Sequence, residues 1–139
     1  MNGKADCEAL MGELLDFAGR MLVEYGEFHP FGGFTQRTGA IVHVGVDMQE
    51  DGATSQEEAD LLFARMKDHD PTAVAFCVVT HVSISDDDHG PRDVVKVFLE
   101  HERGYCADVF LPYEIGAGKA SFVDVFAQQG DHVFFPVKH

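Results

Sequence analysis

Two stretches of the chain carry side chains at spacings that can hold a ligand. The first runs Asp47-x-Gln49-x-Asp51-Gly52 and reaches Glu58 at the twelfth position. Calcium loops use this order: oxygen ligands alternate along the chain, a glycine permits the sharp turn, and a bidentate glutamate closes the site. Ala53 would offer its carbonyl at the seventh position and Ser55 its hydroxyl at the ninth. Two features count against the match. Gln49 stands where a short Asp or Asn is usual, and the preceding residues read as a strand where a helix is required. The competing account is an acidic loop in which Glu58 belongs to a helix cap with Ser55. Asp47, Gln49, Asp51 and Glu58 are thus the metal candidates, calcium is the ion they suit, and no other cofactor is expected.

The second stretch is Gly26-Glu27-Phe28-His29-Pro30-Phe31-Gly32-Gly33. Connections normally carry polar side chains, so two phenylalanines in a glycine-rich one must be buried or contact a ligand. Burial would have Phe28 and Phe31 fill the gap between a helix and a sheet. Ligand contact would make a small aromatic-lined pocket with Glu27 and His29 as its polar groups. The ligand-binding candidates are therefore Glu27, Phe28, His29 and Phe31.

Other chemistry is fainter. Asp86, Asp87 and Asp88 before His89 read as an acidic hairpin tip, since their spacing matches no closed metal site. The eight histidines form no HxxxH, HExxH or HxH pair, so no zinc motif is present. Pairing of the strands on either side of that tip would bring His101 near Cys77, and a Cys–His pair can act as nucleophile and base. A buried cysteine beside a strand histidine is more often structural. Gly116-Ala117-Gly118-Lys119 fails as a phosphate loop, because Tyr113 and Ala120 occupy the required Gly and Ser/Thr positions.

The elements that must position these groups follow from hydrophobic spacing. Leu10, Leu14, Phe17, Met21 and Leu22 recur at helical intervals and predict a helix over residues 6–25, stopped by Gly26. Strands are expected over 34–37 and 41–46, and a second helix over 55–68 with Leu62 and Met66 on its apolar stripe. Residues 73–84 are apolar on both faces, as a central strand requires. Further strands are expected over 93–101, 105–113, 121–127 and, as a short edge, 133–137. This order predicts an α+β fold: one mainly antiparallel, twisted sheet of five or six strands with two helices packed on one face. The other face would be solvated or covered by a partner.

With 139 residues the chain suits a single domain, residues 1–139. A net charge of −14, from 24 acidic and 10 basic residues, repels phosphate backbones and anionic lipid, so no nucleic acid and no membrane partner is expected. No apolar run approaches the ~20 residues of a membrane span, and no export leader is expected. Cys7, Cys77 and Cys106 make an odd set without a CxxC, which fits a reduced, cytoplasmic protein.

A helix ending in Gly26-Glu27-Phe28-x-Pro30-Phe31-Gly32, then a hairpin and an antiparallel sheet, resembles a family of small bacterial α+β proteins with no established activity. The resemblance covers the first 46 residues best. It implies a bacterial, single-domain protein and supplies no catalytic residues. Toxin-immunity proteins are similar in size and charge only.

Three function classes follow. The leading one is a non-enzymatic interaction protein, of immunity type with a basic protein partner, or self-associating through a sheet face bearing Phe98 and Phe110. The alternative is a small-molecule or calcium-binding domain. The third is an enzyme, which would need a cleft gathering groups such as His43, His81, His101 and Cys77.

Overall fold

An apolar row along the first helix organises one side of the molecule, and a cluster of phenylalanines organises the other. The computed structural model describes residues 3–45, 55–67, 72–86, 90–131 and 133–135. Asp47, Gln49 and Asp51 of the calcium candidate lie outside them, as do Asp87, Asp88 and His89 of the acidic tip. Helix α1 spans Gly3–Tyr25 and buries Cys7, Leu10, Leu14, Ala18 and Leu22, one residue per turn on a single stripe. Gly26 ends it at φ 77°, a left-handed conformation that favours glycine, with its N–H donating to the Leu22 carbonyl at 2.9 Å.

Strands β1 (Phe31–Gln36) and β2 (Ile41–Val44) form a hairpin, and α2 spans Ser55–Lys67. The remaining described elements are strands: β3 (Ala73–Asp86), β4 (Gly90–His101), β5 (Cys106–Gly116), β6 (Lys119–Phe122) and β7 (Phe126–Gln129). Every pairing is antiparallel, in the order β2-β1-β3-β4-β5-β6. β7 shares the outer edge of β5 with β6, from Ala107↔Gln129 to Phe110↔Phe126. The α+β class and the antiparallel sheet carrying two helices are as expected, with six strands in one path and a seventh beside β5 among the described residues.

The helices, however, lie on opposite faces of the sheet, not on one. Ala75, Cys77 and Val79 of β3 pack with the α1 stripe, whereas the alternate residues Phe76 and Val78 pack with Leu62 and Met66 of α2. The period of two along a strand makes these opposite faces. A central strand apolar on both sides thus receives one helix on each. Adjacent glycines in β1 divide the same way: Gly33 faces Leu14, and Gly32 faces Met66.

Two further expectations change. Residues 121–127 do not form one strand, because the chain breaks between β6 and β7 around Asp124, which adopts φ 50°. Residues 133–135 form bends, not an edge strand. Their N–H groups donate instead to the buried Glu100 carboxylate: Val133 at 2.9 Å and Phe134 at 2.8 Å to Oε1, Phe135 at 2.9 Å to Oε2. That capture lays Phe134 flat on Phe76, with ring centroids 4.1 Å apart, and Phe134 also stacks with Phe63 of α2. Phe98 is buried in this cluster, so it is not a surface residue for self-association. No helix among the described residues is long and apolar enough to cross a membrane.

Candidate aromatic cleft

The glycine-rich connection from α1 to β1 lies beside an open cleft. β1 begins at Phe31, opposite Val79, while β3 continues to Asp86. Beyond Phe31, therefore, β3 has β4 as neighbour but no longer β1, and the 26–30 connection runs past this part of the sheet. Phe17, Met21 and Tyr25 from the last turns of α1 contribute one wall. Glu27, Phe28, His29 and Phe31 contribute the next, with Glu58 of α2 and His81 of β3 completing a space of about 600 Å³.

All four ligand-binding candidates line this cleft. Phe31 is buried and meets Phe17 edge-on at 5.0 Å and Phe28 edge-on at 5.5 Å. Phe28, half-buried, also lies 5.5 Å from the His81 ring. Edge-to-face contacts of this kind fix ring orientation beyond what area burial alone does.

The polar groups are arranged in pairs. His29 Nδ1 donates to Glu58 Oε2 at 3.0 Å; the His29 side chain is 68% exposed and that of Glu58 only 7%. Glu58, considered above as a calcium ligand or cap partner, therefore stands in the cleft wall, bonded to the connection. His81 Nε2 and the Tyr113 hydroxyl share a hydrogen bond of 2.8 Å. Burial, and then the Asp93 carboxylate, push the Tyr113 phenol above its ordinary range. No group of three or more metal-ligating side chains is gathered among the described residues.

Sequence reasoning did not place Phe17, Met21, Tyr25, Glu58 or His81 at this site. Phe17 and Met21 flank the buried stripe of α1, so they read as core. The signal for His81 was a polar ring inside an otherwise apolar strand. No spacing rule joins it to a loop about fifty residues earlier.

The other described histidines, His43 and His101, and the thiols do not converge. His43 pairs with Glu13 at the surface, at 2.7 Å. His101 lies opposite Ala75, not Cys77. Its Nδ1 accepts the Arg103 N–H at 3.1 Å, which directs the Nε2 proton to Asp6 Oδ2 at 2.9 Å. This ties the start of α1 to the end of β4. The Cys–His pair considered above is thus not formed: His101 is engaged with Asp6, and burial pushes the Cys77 thiol well above its ordinary range.

Burial, then nearby carboxylates and thiols, also raise Cys7 to about 12, and burial with Glu100, Asp108 and Asp131 raises Cys106 to about 12. All three thiols are unpaired and buried, and such thiols are poor nucleophiles. Iodoacetamide at pH 8 should leave the native protein unmodified by mass spectrometry and label it fully in urea. Fast labelling of the native state would contradict this burial. The folded state holds these protons to a higher pH than the unfolded chain. Stability should therefore be intact below about pH 9 and fall as pH rises towards 12.

No family model, curated protein or solved structure matches the chain.

Proposed function

We propose that the chain is a binding domain for a small, largely apolar molecule, held in the cleft between α1, the 26–31 connection and α2. One observation carries the reading: aromatic rings surround a space of about 600 Å³ that the described side chains leave open, with a few convergent polar groups at its wall. Small-molecule sites typically span about 300–1,000 Å³ with this mixture of apolar walls and sparse polar contacts. Reduced, buried thiols fit a cytoplasmic setting.

The protein contains no tryptophan, so Phe17→Trp creates a single fluorescent reporter at the cleft wall. Phe17 is 38% exposed, which leaves room for the larger ring. Titration with 2-phenylethanol should give a saturable change in emission. Adding Phe28→Ser should weaken that response about tenfold, the loss of one buried aromatic contact. A linear, non-saturating response, or one that Phe28→Ser leaves unchanged, would remove the reading.

A further inference from the structure

The polar groups of the cleft differ in sign from those of a general apolar pocket. Among the described residues two carboxylates, Glu27 and Glu58, line it, and no lysine or arginine does. Glu58 is the informative one. Its side chain is 7% exposed, and its hydrogen bond among the described residues comes from one imidazole nitrogen, His29 Nδ1. A carboxylate has two oxygens and room for about four hydrogen bonds. Withdrawing it from water is costly unless donors replace the lost hydration. A single His29 contact replaces part of that hydration, and a donor entering the cleft would replace more.

The rings add to the same preference. Phe17, Phe28 and Phe31 meet edge to face, with interplanar angles of 80° and 66°. Angled rings offer negative π faces in several directions, and such faces attract a cation within about 6 Å of the centroid. An anion would meet those faces, two carboxylates and the field of a chain carrying −14 charges. A neutral ligand could offer Glu58 only an uncharged donor, whose hydrogen bond is about half as strong as a charge-assisted one.

We infer that the ligand is an organic monocation, a protonated amine on an apolar body, with its ammonium directed at Glu58 and its body against Phe17, Phe28 and Phe31. This rests on the proposal that the cleft binds a small apolar molecule, and it specifies the charge of that molecule.

Three compounds of nearly equal size separate the two ideas: 2-phenylethylammonium, 2-phenylethanol and phenylacetate, titrated calorimetrically into the wild-type protein at pH 7 and matched ionic strength. The ammonium should bind about tenfold or more tighter than the alcohol, as a charge-assisted hydrogen bond with a cation–π contact provides. Phenylacetate should bind weakest. Glu58→Gln keeps an acceptor for His29 but removes the charge. It should bring the ammonium within about threefold of the alcohol, with a retained cooperative melting transition as the folding control. Equal binding of alcohol and ammonium by the wild type would overturn the charge assignment and leave the apolar cleft standing. Binding by none of the three would overturn both. An ammonium preference that survives Glu58→Gln in a folded variant would overturn the role given to Glu58.

Discussion

Glu100→Ala should lower stability by about 3–5 kcal/mol, the range for leaving buried partners of a charged group unmatched. Glu100 is fully buried, and its carboxylate accepts the consecutive N–H groups of Val133, Phe134 and Phe135. Successive N–H groups converging on one anion form a concave nest, and a short alanine side chain cannot reach it. Three donors then lose their acceptor. The segment can recover hydration only by lifting off, which withdraws Phe134 and Phe135 from the rings of Phe76, Phe63 and Phe98. Either route is expensive. Urea unfolding followed by far-ultraviolet circular dichroism should show the loss, and thermal unfolding should move down by about 10–15 °C. Glu100→Gln, which keeps one acceptor oxygen, should fall between. A loss below about 1 kcal/mol for the alanine variant would be that of an ordinary neutral hydrogen bond, and would show that these contacts do not hold the segment.

Gly32→Ala should be nearly as damaging, through crowding in place of lost bonds. A Cβ at Gly32 would stand 2.5 Å from the Cys77 carbonyl oxygen and 3.0 Å from Met66 Sδ. The methionine can move, but the carbonyl belongs to the central strand β3, which is also paired with β4. Relief therefore requires β1 to shift against β3, and overpacking of this kind costs about 1–3 kcal/mol or more. We expect about 3 kcal/mol. Gly12→Ala is the control: nothing lies within 4 Å of its Cβ, it sits inside α1, and it should stabilise the protein by about 0.5–1 kcal/mol. A Gly32→Ala variant as stable as wild type would contradict the close packing of β1 between β3 and the two helices.

Much of this fold is legible along the chain because it rests on local pattern. The α1 stripe, its stop at Gly26 and the two-sided apolar run of β3 each follow from spacing within one element. What the pattern does not show is which neighbour an element meets. The Leu62 and Met66 stripe says that α2 packs on something, not on which face. Residues 133–135 have the composition of a strand, but their N–H groups are taken by Glu100, more than thirty residues earlier. The cleft divides the same way. Glu27, Phe28, His29 and Phe31 are visible as an anomaly of composition within one connection. Glu58 and His81 join them through the β3 register and the placement of α2, which no local spacing records.

The proposed ligand site is this aromatic cleft. Its most direct test is a two-dimensional ¹H–¹⁵N correlation spectrum of the wild-type protein, recorded as 2-phenylethylammonium is added. Binding as proposed predicts saturable shifts confined to α1 around Phe17 and Met21, the Glu27–Phe31 connection, and the neighbourhoods of Glu58 and His81, with α1 near Cys7 and the strand edge at Phe126 unmoved. Shifts centred away from these residues, or none up to the solubility limit of the probe, would contradict it.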